Sequence, residues 1–174
     1  MKKSILLIAI ILTTASAAIA QREGKTRFSI GPELGVATSN PLKGLPGNKG
    51  WGVGIGGSIQ ADHFFRENLT GNAYLGTVFY TGRSKNNDSK NKAYTVIPIR
   101  VGSDFYPGPF HIGAQIGVGI NSMSGVSATA FAYSPQVGFN FSKNERPVDL
   151  TVRYDAYAGH GDFSAMNLRL SLIL

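Results

Sequence analysis

The 174-residue chain contains no cysteine, which excludes a disulfide framework, a thiolate metal site and a cysteine nucleophile. Charge is also scarce: 16% of residues are Asp, Glu, Lys or Arg, against a usual ~25%. Acids are the scarcer sign, 10 against 17 Lys and Arg, for a formal net charge of +7. No nucleic-acid recognition motif accompanies that balance, so nucleic acid is not an expected partner. His63, His111 and His160 are too dispersed to share a metal, and no metal or other cofactor is expected. After residue 20 no apolar run is long enough for a spanning helix. An apolar fraction of 43% argues against a disordered chain. The 22 glycines follow no Gly-X-Y period, so collagen is excluded too.

What is present begins with an address. Lys2 and Lys3 precede the apolar run Ile5–Leu12, and small residues follow, ending in Ala18-Ile19-Ala20. A basic start, a short apolar centre and an A-x-A ending predict a secretory signal peptide over residues 1–20, cleaved before Gln21. Residues 21–26 are then a short lead, and residues 27–174 form one domain.

From Arg27 onward the dominant period is two, the signature of strands. Phe28, Ile30, Leu34 and Val36 share one face, opposite Ser29, Gly31, Glu33 and Gly35. Ile112, Ala114, Ile116, Val118 and Ile120 alternate in the same way with His111, Gly113, Gln115, Gly117 and Gly119. Eight such segments, each of roughly 11–15 residues, fill the chain to Leu174. The connectors at 64–68, 107–109 and 142–146 are short, whereas those at 39–50, 82–92, 122–127 and 158–163 are generally longer and polar. Short turns at one end, longer loops at the other and an even strand count predict an eight-stranded antiparallel up-and-down transmembrane β-barrel. Both termini fall on the short-turn, periplasmic side.

Side-chain size decides which face is inside. Gly31, Gly35, Gly52, Gly54, Gly56, Gly76, Gly113, Gly117, Gly119 and Gly138 all lie on the polar face. An eight-stranded barrel has an interior just wide enough for its side chains, which suits glycine and a few charges. The apolar face is bulky and nearly free of charge, as contact with hydrocarbon requires. Phe28, Phe65, Tyr106, Phe110, Phe139 and Phe141 gather near one predicted rim, and Trp51, Phe79, Tyr80, Tyr94 and Phe131 near the other. These are candidates for interfacial girdles; ordinary strand preference for aromatics accounts for them equally well.

In this pattern Arg27–Leu174 resembles the small outer-membrane β-barrels of Gram-negative bacteria, of the OmpX and OmpA-transmembrane type. The closing segment Met166–Leu174 resembles the last strand that outer-membrane assembly machinery recognises, although that signal usually ends in an aromatic residue and this one ends in Leu174. The resemblance implies residence in the bacterial outer membrane, contact with its lipids including lipopolysaccharide, and a monomeric state.

The polar face carries the candidate site residues. Glu33, Arg100, Arg153 and Arg169 fall near mid-height, with Asp104, Asp149 and Asp155 on the same face. The first and last strands are neighbours in a closed barrel, so Glu33 faces Arg169, with Arg153 one strand further on. A lone buried charge costs several kcal/mol, so a paired network filling the lumen is expected, in preference to a narrow ion path. The loop cations Arg83, Lys85, Lys90 and Lys92 are candidates for contacting lipopolysaccharide phosphates, with a plain solvated loop as the other reading.

The function expected is a structural or surface-interaction role with a plugged, non-conducting lumen and no catalytic residues. Two alternatives stay open. One is a membrane-embedded, lipid A-modifying hydrolase of deacylase type using His160 and Ser164, which lack the close His-x-Ser-Asn spacing of those enzymes. The other is a soluble, lipocalin-like barrel that would need an apolar cavity.

Overall fold

The computed structural model describes residues 24–39, 48–84, 93–123, 126–141, 147–159 and 163–174, so the expected leader at 1–20 lies outside the described residues. Eight strands follow one another: β1 (Thr26–Ser39), β2 (Asn48–Arg66), β3 (Leu69–Ser84), β4 (Tyr94–Phe105), β5 (Phe110–Met123), β6 (Val126–Phe141), β7 (Val148–Ala158) and β8 (Phe163–Ile173). Each pairs antiparallel with its sequence neighbour, and β1 pairs with β8, closing the barrel. Closure leaves no strand edge unpaired, a requirement for strands in hydrocarbon.

The two-residue period sets the orientation of every strand. In β1, Phe28, Ile30, Leu34 and Val36 point outward and are half exposed, whereas Ser29 and Glu33 point in and are buried. Ile116 and Leu170 are likewise outward and exposed, while Arg153 and Arg169 are buried in the lumen. This is the reverse of a water-soluble barrel, and it excludes the lipocalin-like alternative, whose apolar side chains would line the axis.

Glycine allows the large inward side chains to fit. The Tyr80 ring lies over Gly35 and Gly54; a Cβ on Gly54 would sit 2.6 Å from the ring. The His111 ring occupies the place a Cβ on Gly138 would take. In the link between β4 and β5, Gly108 adopts φ +102° between Pro107 and Pro109, a conformation that favours glycine.

Three features differ from the expected layout. The strand β2 runs on through Phe64, Phe65 and Arg66, so the link to β3 shrinks to Glu67-Asn68. Met123 and Val126 are register partners with only residues 124–125 between them, so the β5–β6 connector is not one of the longer loops. Tyr80, Tyr94 and Tyr106 do not join an outward girdle: all three point into the barrel and are buried, because each has the sequence parity of the polar face. Phe28, Phe65, Phe79, Phe110, Phe131 and Phe141 do face outward.

Candidate functional site

The lumen is organised in three layers, built from inward residues of all eight strands. The middle layer centres on two carboxylates. Glu33 of β1 is fully buried and accepts hydrogen bonds from Ser58 Oγ (2.6 Å), Tyr74 Oη (2.7 Å) and Arg153 Nη2 (2.8 Å). Its register partner across the closure is Arg169, whose Nε lies 3.7 Å from Glu33 Oε1. Arg169 also donates to Ser58 Oγ (2.8 Å) and Ser29 Oγ (3.0 Å). Asp155 of β7 accepts from Arg100 Nη1 (2.6 Å), Arg153 Nε (3.1 Å), Asn167 Nδ2 (2.7 Å) and Ser134 Oγ. Arg153 therefore bridges both carboxylates. The Tyr74 ring packs against two guanidinium groups, with Arg100 at 4.3 Å and Arg153 at 4.4 Å from its centroid. Three buried cations and two buried anions share this layer, and the ion pairs and hydrogen bonds among them offset part of the cost of their burial.

Below it, at the end where the strands bearing the termini begin and finish, lies a second polar layer. Asp104 accepts from Asn72 Nδ2 (2.6 Å) and Gln136 Nε2 (2.7 Å). His111 stands between two carboxylates, with Nε2 3.2 Å from Asp149 Oδ2 and Nδ1 3.8 Å from Asp104 Oδ1. Asp149 also accepts from Thr151 Oγ1 at 2.6 Å. At the rim Arg27 pairs with Asp62 at 2.9 Å and donates to Tyr106 Oη. Its guanidinium lies 5.1 Å from the Phe64 ring centroid and 5.0 Å from that of Tyr106.

The third layer, toward the opposite end, is apolar. Phe163 packs edge-on against Tyr80 and Tyr94, with centroids at 5.0 and 4.9 Å, and stacks on Tyr157 at 6.0 Å. Val78, Val96, Ala130, Ala132 and Ala165 complete the cluster. The Tyr80 hydroxyl donates to Asn167 Oδ1 at 2.9 Å, joining this layer to the polar one beneath.

Of the candidate residues, Glu33, Arg100, Arg153, Arg169 and Asp155 thus come together in one cluster, and Asp104 and Asp149 meet through His111 in another. Sequence reasoning missed the partners that complete them: Tyr74, Ser58, Ser134 and Asn167 in the middle, Arg27 at the rim, and the Tyr157–Phe163 pair above. Parity with Arg153 and Arg169 was the signal available for Tyr157 and Phe163. Ser164 Oγ shares a hydrogen bond with Thr38 Oγ1 at 2.8 Å, and His160 lies outside the described residues. The backbone of Arg83 belongs to β3, while Lys85, Lys90 and Lys92 lie outside the described residues. Among the described residues no group of three or more His, Asp or Glu side chains is arranged to hold a metal ion.

A closed eight-stranded barrel with an apolar exterior and a charged, hydrogen-bonded interior is an outer-membrane architecture. A family model described as the outer membrane protein beta-barrel domain matches residues 5–173. The chain belongs to that family. Among solved structures of similar fold is Ail, the attachment invasion locus protein of Yersinia pestis, 14% identical. The match covers 87% of this chain and 99% of Ail, with a TM-score of 0.55. A second Ail structure, in complex with the heparin analogue sucrose octasulfate, is also 14% identical over 87% of this chain and 99% of that one, with a TM-score of 0.54. Neisserial surface protein A is 14% identical over 86% of this chain and 96% of its own, with a TM-score of 0.58. At such identities the likeness is one of fold. No curated protein matches the sequence. Membership places this outer-membrane barrel domain in the bacterial outer membrane, its apolar face against lipid.

Proposed function

We propose that this outer-membrane barrel is a monomeric, non-enzymatic protein whose lumen is plugged and non-conducting, serving envelope structure or surface interaction. One observation carries the reading: side chains from seven of the eight strands meet across the lumen in a middle layer of paired charges and their hydrogen-bond partners, capped by an aromatic layer. An ion crossing would have to displace Arg153 from Glu33 and Asp155 and then part the ring of Phe163 from those of Tyr80 and Tyr94. Each step exposes a buried charge or an apolar surface, so the closed arrangement is favoured.

In this reading residues 1–20 are a leader removed before assembly, both termini lie in the periplasm, and assembly machinery reads the closing strand. The barrel contacts outer-membrane lipids including lipopolysaccharide, with Arg83, Lys85, Lys90 and Lys92 presented toward its phosphates by charge-assisted contacts. One Ail structure holds a polysulfated sugar analogue, a ligand whose dense negative charge is of the kind a cationic loop would meet.

The test is conductance across planar bilayers together with gel mobility of the unboiled protein. The expected outcome is a heat-modifiable, detergent-extracted species that gives no discrete current steps. Reproducible unitary conductance from the purified protein would overturn the plugged reading.

A further inference from the structure

One buried titratable ring takes no part in the middle layer. His111 of β5 lies over Gly138 of β6, in the space a side chain there would fill, and so reaches β7. It stacks on Tyr106, with ring centroids 5.1 Å apart and planes at 26°. Both ring nitrogens face carboxylates: Nε2 lies 3.2 Å from Asp149 Oδ2, and Nδ1 lies 3.8 Å from Asp104 Oδ1.

Hydrogen bonding assigns the first proton. The Thr151 hydroxyl commits its one hydrogen to Asp149 Oδ1 at 2.6 Å, so toward His111 Nε2, 3.5 Å away, it is left only to accept. Nε2 therefore carries a hydrogen. A neutral ring would then turn a bare lone pair at Nδ1 toward the Asp104 carboxylate, in a buried position where Nδ1 has no hydrogen-bond partner. A hydrogen on Nδ1 makes the same contact attractive.

Charge balance points the same way. From Arg27 inward, four guanidinium groups stand against five carboxylates among the described residues. An unbalanced buried charge is costly, and one proton on His111 brings the lumen to neutrality. The imbalance sits in the ring's own layer, where Asp62, Asp104 and Asp149 have Arg27 as their one guanidinium and Tyr106 is the other titratable group. There β3, β6 and β8 bring only uncharged side chains: Thr70, Asn72, Gln136, Asn140 and Ser171.

We propose that His111 is an imidazolium at neutral pH and acts as a proton-held clasp, joining Asp104 of β4 to Asp149 of β7 across the end of the lumen nearest the termini. Raising the pH strips the proton, leaves three carboxylates against one guanidinium, and opens the clasp. The contribution to stability is thus present at neutral pH and lost in base. The clasp is separate from the plugged reading, which conductance tests on its own.

The test is solution NMR of the full barrel in detergent micelles with 15N-labelled histidine, its signals assigned with His63→Gln and His160→Gln variants. At about pH 7.5, above the ordinary histidine value of ~6.5, His111 is expected to show two protonated ring nitrogens. The same residue in the urea-unfolded chain is expected to show a largely neutral ring. A folded-state His111 with one bare nitrogen at that pH refutes the proposal, and this reading needs no His111 variant to fold. Two protonated nitrogens that persist unchanged to about pH 10 would refute release by base. Where His111→Gln folds, the wild-type urea midpoint is expected to exceed the variant's at about pH 7 and to converge on it by about pH 10. Equal midpoints at pH 7 would show that the ring holds nothing together.

Discussion

Replacing Glu33 by Gln tests the middle layer most directly. The carboxylate is fully buried and takes hydrogen bonds from Ser58, Tyr74 and Arg153. Gln keeps the shape and one carbonyl oxygen, which still accepts from Ser58 or Tyr74. Its amide, however, presents a donor to the donor Arg153 Nη2, and the layer changes from three cations and two anions to three cations and one. Breaking a buried pair by removing one partner costs ~3–5 kcal/mol; the retained hydrogen bonds put the expected loss at the low end, ~3 kcal/mol. With a urea slope of ~1–3 kcal/mol per molar, the unfolding midpoint falls by ~1–3 M. The assay is a urea titration of refolded protein in micelles, read as the folded band of unboiled samples. Adding Arg169→Met removes the excess cation. The double variant is therefore expected to recover at least ~1 kcal/mol relative to the sum of the single losses, within the range for groups in one network. A Glu33→Gln unfolding free energy within ~0.5 kcal/mol of wild type, the range of ordinary surface substitutions, would refute the network's role. Strict additivity with Arg169→Met would do the same.

Two further predictions follow from the outward and inward faces. Ile116→Lys, near the middle of an outward-facing row on β5, is expected to cost ~2–4 kcal/mol in folding titrations into bilayers. Val126→Lys, at a strand end, should cost only ~0–1 kcal/mol; equal costs would argue that the two sites share one depth. Gly138→Ala is expected to lose ~1–3 kcal/mol by pushing the His111 ring off its seat. Gly57→Ala, where the added methyl meets nothing nearer than Gly31 O at 3.6 Å, should be neutral or gain up to ~1 kcal/mol.

The barrel was legible because its two faces differ in both polarity and size. Ile112 to Ile120 against His111 to Gly119 states the period without ambiguity, and the glycines on the polar side say which face is inside. Pairing of Glu33 with Arg169 was readable too, because closure of an up-and-down barrel fixes the neighbours of its first and last strands. Tyrosine defeated the same logic: Tyr80, Tyr94 and Tyr106 are amphipathic, and an aromatic near a strand end suits a membrane interface as well as a lumen. Parity alone separates the two, and it was outweighed by residue type. Connector length was hidden for a related reason. Phe64, Phe65 and Arg66 break the tidy alternation, yet β2 carries on through them because Phe64 tucks under Arg27 beside Tyr106 while Phe65 covers Gly71 on the outside. Hydrogen-bond partners such as Asn72 and Ser134 carry no sequence signal beyond being small, polar and inward.

In water, burial of apolar side chains would both stabilise a fold and choose among its alternatives. On the outward face of this barrel that term loses its power to choose, because Ile30, Ile116 and Leu170 meet hydrocarbon in any register that keeps them facing out. A slip of two residues between β1 and β8 preserves every outward apolar residue and the backbone ladder alike. It does not preserve the interior: Glu33 would oppose Asn167 or Ser171 in place of Arg169, and Arg153 could no longer reach Glu33 and Asp155 at once. The lumen charges therefore specify the register. Stability lost by Glu33→Gln should accordingly appear together with slower or heterogeneous refolding, visible as several unboiled bands where the wild-type protein gives one.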